Sequence, residues 1–209
     1  MYLFDIENIA FQILSYPISC VELIATSFGL LSVYFAARVN ILTWGTGIIN
    51  EVFLFFLFFQ VQLYADMFLQ VYFFIVTIYG WYRWGPKTSQ LLISRLGSKA
   101  KITFMVFVFL GTLISGYLLS KIHVYLPMFF EKEAAFPFVD SFVMVSSISA
   151  TVLLARKKIE NWYLWIAIDL VCIVLYFKKG IYFLAGEYFI FLGIAIFGFY
   201  NWKKHFEND

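Results

Sequence analysis

The chain has 209 residues, of which 63% are hydrophobic, 22% aromatic and only 13% charged, with a net charge of +2 and a mean hydropathy of +0.85. Soluble domains carry about a quarter of their residues as Asp, Glu, Lys and Arg, so this composition excludes a water-soluble globular protein and points to an integral membrane protein. The near-neutral sum identifies no partner and nucleic acid is not expected; the distribution of the charges is more informative.

The opening stretch, MYLFDIENIAFQIL, carries Asp5 and Glu7 but no Lys or Arg. It therefore lacks the basic start of a cleavable signal peptide and is expected to form a short amphipathic helix leading into the membrane. About 20 apolar residues make a helical span, which places seven spans at 16–37, 44–63, 64–84, 102–120, 136–155, 161–177 and 181–202. Arg38 and Asn40 end the first, Gly85-Pro86 the third and Arg156-Lys157-Lys158 the fifth, while Lys178-Lys179-Gly180 separates the sixth from the seventh. Segment 85–100, GPKTSQLLISRLGSKA, is expected to be a basic helix on the cytoplasmic leaflet. Segment 121–135, with Glu131, Lys132 and Glu133, reads as a solvated external connection. These spans leave no room for a separate soluble module, so a single all-α transmembrane domain is expected. Cys20 and Cys172 lie inside apolar runs, which argues against a disulfide or a thiolate metal site.

Cytoplasmic loops retain Lys and Arg. Arg38, Arg83, Lys87, Arg95, Lys99, Lys101, Arg156, Lys157, Lys158, Lys203 and Lys204 fall on one side, and only Lys121, Lys132, Lys178 and Lys179 on the other. This asymmetry predicts an outside N-terminus and a cytoplasmic C-terminus.

The two ends of the chain echo each other. NILTW (Asn40 to Trp44) has the N-x-x-x-W spacing of NWYLW (Asn161 to Trp165), and YGWYRW closing span three matches FGFYNW closing span seven, each pair about 120 residues apart. Three spans reverse the chain's side, so a second triplet can run parallel to the first only if one extra helix crosses between them. Span four fills that role, which gives a 3+1+3 parallel pseudo-repeat, and repeat transporters bind substrate near the midplane between the halves.

Two spans carry polar stripes. Asp66, Gln70, Phe73 or Phe74, Thr77 and Trp81 share one face of span three, and Asn161, Trp165, Asp169, Cys172 and Tyr176 share one face of span six. An ionisable group at membrane depth costs on the order of a few kcal/mol, so these faces should point to the bundle interior, a partner or a water-filled path. The ordinary alternatives are capping or headgroup contact for Asp66 and Asn161, and interhelical hydrogen bonding for Gln70 and Asp169. Glu22, Glu51 and Glu187 are further candidates. Trp44, Trp81, Trp84 and Trp202 are expected in the interfacial aromatic belt, and Trp165 is the tryptophan expected to line a site. Aromatic faces attract flat cations, Asn and Gln read hydroxyl or amide groups, and a carboxylate offsets positive charge. Such a lining suits a flat organic cation with polar substituents.

YADMFLQVYFFIVTIYGWYRW, ARKKIENWYLWIAIDLVCIVLYFKKGIYF and VELIATSFGLLSVYFAARVN closely resemble the PnuC-type vitamin transporters, whose principal members take up nicotinamide riboside. The resemblance runs from about Val21 to Trp202, leaving out span four and its flanking loops. It implies a seven-helix 3+1+3 fold related to the sugar-transporting SWEET proteins and homotrimers in bacterial inner membranes. It also implies facilitated diffusion with trapping by phosphorylation inside the cell. Carried over by position, Gln70, Asn161 and Trp165 are the substrate-binding candidates: Trp165 stacking on the heterocycle, Asn161 and Gln70 bonding ribose or carboxamide. Asp66 and Asp169 are implied in charge or supporting roles, and Tyr176 completes the set. Some family members carry an asparagine in the last span where this chain reads EYFIFLG (Glu187 to Gly193), which bears on the substrate. Thiamine, also cationic, is the main alternative; riboflavin is larger and uncharged, and an ion-coupled carrier of another organic cation is a further reading.

An enzyme is not expected. His123 and His205 lie in a loop and the tail, and no G-x-S-x-G turn, H-E-x-x-H pair or P-loop is present. No cofactor or metal is implied. A structural or signalling seven-helix protein would not need matching polar stripes in both repeats.

Overall fold

The computed structural model describes residues 4–13, 16–61, 64–85, 91–127, 133–178, 180 and 182–208. Among these, a short antiparallel hairpin, β1 (Ile9–Ile13) and β2 (Tyr16–Ser19), precedes seven helices. The helices are α1 (Cys20–Ala37), α2 (Leu42–Gln60), α3 (Tyr64–Trp84), α4 (Ser98–Tyr125), α5 (Pro137–Ala155), α6 (Glu160–Lys178) and α7 (Tyr182–Asn208). The seven expected spans are thus recovered as helices. Six are long and apolar enough to cross a membrane by length and composition. The other, α3, has the required length but carries four tyrosines, two tryptophans, Asp66, Gln70 and Arg83, all of which lower its hydropathy.

The expected N-terminal amphipathic helix is a hairpin instead. Isoleucine and phenylalanine alternate with smaller or polar residues along Ile9–Ile13, a period of two that suits a strand. The first helix starts at Cys20 because Ser19 and Glu22 form a capping box: the Ser19 hydroxyl accepts from the Glu22 amide at 3.2 Å, and the Ser19 amide donates to the Glu22 carboxylate at 2.9 Å. The basic surface helix expected over 85–100 is also corrected. Residues 91–97 are not helical and α4 begins only at Ser98, while 86–90 lie outside the described residues. Of the external connection, 121–125 belong to α4 and 128–132 lie outside the described residues.

Two compact units divide the chain: Met1–Leu92 with Leu154–Lys157 and Tyr200–Asp209, and Ile93–Leu153 with Lys158–Phe199. In the first, α1 packs on α2 and α2 on α3. Ser32 and Thr43 exchange hydroxyl-to-carbonyl bonds of 2.8 and 2.9 Å across α1 and α2, and Asn50 donates to the Ala25 carbonyl. Each satisfies a polar group that a bilayer would leave unpaired. The chain before β1 is held to α2, where the Phe4 ring stacks on Phe53 with centroids 4.7 Å apart and the Ile6 amide donates to Gln60.

In the second unit small residues let helices approach. Gly111 of α4 lies against Val145 of α5, and Gly116 against the Phe138 ring. Segment 91–97 is pinned beside the start of α6. There Ser94 pairs with Lys158 as an isolated bridge, the Leu96 amide donates to Glu160 at 3.0 Å, and Lys101 forms an ion pair with Glu160 at 3.1 Å. Elsewhere α4 exposes Ile102, Met105, Phe109 and Ile114, an apolar surface that suits lipid rather than water.

Identical local devices recur at a spacing of 118 residues. Val39 and Lys157 both have positive φ, 55° and 48°, in the turns after α1 and α5. Val39 donates to Ala36 O and Lys157 to Leu154 O, and Trp44 donates to Ile41 O as Trp162 does to Ile159 O. The Trp44 ring lies over Gly80 and the Trp162 ring over Gly198, each so close that a Cβ would collide with it. This register pairs Trp44 with Trp162, not with Trp165 as the N-x-x-x-W spacing implies. Trp44 and Trp202, at 2% and 0% exposure, are core residues rather than belt residues, whereas Trp81 is exposed as a belt residue should be.

Candidate functional site

The α3 stripe is real in its middle and open at its ends. Gln70 and Thr77, two turns apart, are buried, Phe73 and Phe74 are partly covered, and Asp66 and Trp81 are exposed. Asp66 and Trp81 lie in the first and last turns of α3, where fewer neighbours cover a helix. Asp66 also meets the positive end of the helix dipole there. The Thr77 hydroxyl donates to the Glu51 carboxylate of α2 at 2.5 Å, which ties the stripe to a buried acid in the middle of the neighbouring span.

The α6 stripe is buried along most of its length. Asn161, Asp169 and Cys172 are all within 4% of complete burial, while Trp165 and Tyr176 are partly covered. The Asn161 amide group donates to the Lys158 carbonyl at 2.7 Å, closing the turn into α6. Its Oδ1 is buried with no hydrogen-bond partner among the described residues. Asn161 thus does not cap α6 through its side-chain oxygen, which is left as a buried acceptor. Tyr176 stacks on Tyr188 of α7, with centroids 5.4 Å apart and planes 18° from parallel, and Tyr188 hydrogen-bonds Cys172. Gln70 and Asp66 belong to the first compact unit, and Asn161, Trp165, Asp169 and Tyr176 to the second.

Sequence reasoning passed over two residues. Trp162, not Trp165, is the tryptophan fully buried in α6. Tyr188 stands 118 positions after Gln70, and Asp169 stands 118 after Glu51. The YGWYRW and FGFYNW match carries that same register and could have found both. No group of three or more His, Cys, Asp or Glu able to hold a metal occurs among the described residues. What these faces offer is hydrogen bonding and aromatic stacking.

The family described as nicotinamide mononucleotide transporter matches residues 19–204. The chain is 33% identical to the nicotinamide riboside transporter PnuC of Escherichia coli (strain K12), covering 97% of this chain and 94% of that protein, and the same figures hold for PnuC of Shigella flexneri. It is 24% identical to the riboflavin/roseoflavin transporter RibM of Streptomyces davaonensis, over 96% of this chain and 92% of RibM. A crystal structure of the vitamin B3 transporter PnuC matches with a TM-score of 0.65 at 24% identity, covering 88% of this chain and 81% of that one, which establishes a common fold. With polar faces suited to recognition and helices suited to a bilayer, the chain belongs to the nicotinamide mononucleotide transporter family and is a multi-pass membrane transporter.

Proposed function

We propose that this protein takes up nicotinamide riboside across a bacterial inner membrane by facilitated diffusion, the vitamin being trapped inside by phosphorylation. The observation that carries this reading is the 33% identity to nicotinamide riboside transporters along nearly the whole chain. The buried polar and aromatic faces of α3 and α6 support it, because they suit a flat cation with hydroxyl and amide substituents. In this reading Gln70 and Asn161 bond ribose or carboxamide groups and Trp165 stacks on the pyridinium ring. Asp66, Asp169 and Tyr176 shape the charge and the walls around it.

The architecture proposed with it is a single transporter domain, with SWEET-like repeats of about 16–84 and 136–202 joined by the helix at about 102–120. The recurrence at 118 residues of the Val39 and Lys157 turns, and of the Trp44–Gly80 and Trp162–Gly198 contacts, supports that reading. An outside N-terminus, a cytoplasmic C-terminus and homotrimeric assembly complete the proposal.

The test is uptake into liposomes containing the purified protein. Nicotinamide riboside should equilibrate without an imposed ion gradient and be trapped when a riboside kinase and ATP are enclosed. Preferential uptake of thiamine or riboflavin overturns the substrate assignment, and accumulation only under a proton or sodium gradient overturns facilitated diffusion.

A further inference from the structure

We propose that Glu51 is the residue that reads the positive charge of the transported vitamin. The inference rests on the assignment of a cationic nucleoside as substrate and names the charge-selecting group within it.

Glu51 sits in the middle of α2 with 8% of its surface exposed. Oε1 accepts from Thr77, while Oε2 is buried with no hydrogen-bond partner among the described residues. A purely structural role between α2 and α3 requires only the first oxygen, and a glutamine would serve as well. The second oxygen is unmatched in either protonation state, because a carboxylate there lacks a donor and a carboxylic acid lacks an acceptor. A hard metal ion requires several oxygen ligands, and among the described residues Glu51 belongs to no group of three or more His, Cys, Asp or Glu that could hold one. A delocalised ring cation needs no directional ligand set, only a negative charge in a dry setting where the attraction is little screened.

Position agrees with chemistry. Thr77 anchors the Glu51 carboxylate to the buried face of α3 that also carries Gln70, about 10 Å away along the helix axis, a separation that a nucleoside bridges from ring to sugar. Gly47, one turn before Glu51, lies against Ser32, Thr77 and Glu51 and adds no side chain of its own to crowd this carboxylate. Asp169 occupies the corresponding place in α6, 118 residues on, and is likewise buried. A buried acid is therefore a feature of the second helix in both triplets.

The experiment compares binding of nicotinamide riboside with binding of its 1,4-dihydro form, which has nearly the same shape but no charge, to the purified full-length protein. Wild type should prefer the cation by at least roughly tenfold, about 1.4 kcal/mol. Glu51→Gln keeps an acceptor for Thr77 and should bring the two affinities within about twofold of each other by weakening the cation alone. Glu51→Asp, which serves if the glutamine variant does not fold, keeps the charge and should retain most of the preference. Equal weakening of both forms by Glu51→Gln, a preference left intact in it, or a preference abolished by Glu51→Asp overturns the inference. A wild type that binds neither form overturns the substrate assignment, and this inference with it.

Discussion

Trp84 and Trp202, the last residues of YGWYRW and FGFYNW, each donate the indole N–H to a carbonyl at the C-terminal end of a helix. Trp84 bonds Ala155 O of α5 at 3.3 Å and Trp202 bonds Ala36 O of α1 at 2.9 Å. Their rings meet with centroids 6.0 Å apart, and Trp44 adds an edge contact to Trp84 at 5.2 Å. Helix C-termini leave carbonyls unsatisfied; Trp84 supplies a part-buried donor to Ala155 O, and Trp202 adds a buried bond to Ala36 O, which also accepts from the Val39 amide. Asn201, donating to Ala37 O at 2.8 Å, completes the α1 end.

Trp202→Phe keeps an aromatic ring but removes a buried indole bond to the Ala36 carbonyl, which the Val39 amide still partners. It should destabilise the protein by ~0.5–1.5 kcal/mol, read as a lower midpoint of thermal unfolding in detergent. Trp84→Phe should cost less, since its bond is longer. Because the rings touch, the double variant should differ from the sum of the singles by ~0.5 kcal/mol or more. Strict additivity contradicts the contact.

Gly198→Ala puts a methyl group into the Trp162 ring and Gly80→Ala into the Trp44 ring. Each should cost ~1–3 kcal/mol through overpacking. Trp162→Phe, which opens space, should recover part of the Gly198→Ala loss when the two are combined. Unfolding midpoints of the three single variants and the double variant check this, and no recovery in the double variant counts against the packing.

Glu160 fastens segment 91–97 through the Leu96 amide and the first turn of α4 through Lys101. The Lys101 side chain is 45% exposed and that of Glu160 10%, so the ion pair is the weaker component. Lys101→Met should change stability by less than ~0.5 kcal/mol, whereas Glu160→Ala should cost ~1–2 kcal/mol by orphaning the Leu96 N–H. Limited proteolysis of this segment should speed up only in the second variant.

Much of the fold was legible because apolar runs of membrane length admit few alternatives, and a helix stands at each of the seven expected spans, whereas the two expected surface helices, at the N-terminus and over 85–100, lack such a run. The pairing of β1 with β2 was not, since five residues of alternation in IAFQI are a short signal beside the apolar run that surrounds them. The YGWYRW and FGFYNW match lies at the same 118-residue spacing as the recurring turns and glycine contacts. The N-x-x-x-W pair suggested 121 instead, because Trp162 and Trp165 stand three residues apart on one helix and the shared spacing fits the wrong one. Gln70, Asn161 and Asp169 were legible as buried polar groups from helical periodicity. The exposure of Asp66 was not, because periodicity gives direction around a helix but not how far its neighbours extend along it. The role of Glu51 was not legible, because it depends on Thr77 holding one carboxylate oxygen and leaving the other unmatched, a contact between helices that periodicity does not give.

The measurement closest to the central claim is equilibrium binding of nicotinamide riboside to purified wild type beside Gln70→Ala, Asn161→Ala and Trp165→Ala, with thiamine and riboflavin as competitors. Saturable binding that neither competitor displaces at equal concentration, weakened by roughly tenfold or more, about 1.4 kcal/mol, in each variant, is the expected result. Unchanged affinity in all three folded variants, or tighter binding of thiamine or riboflavin, contradicts it.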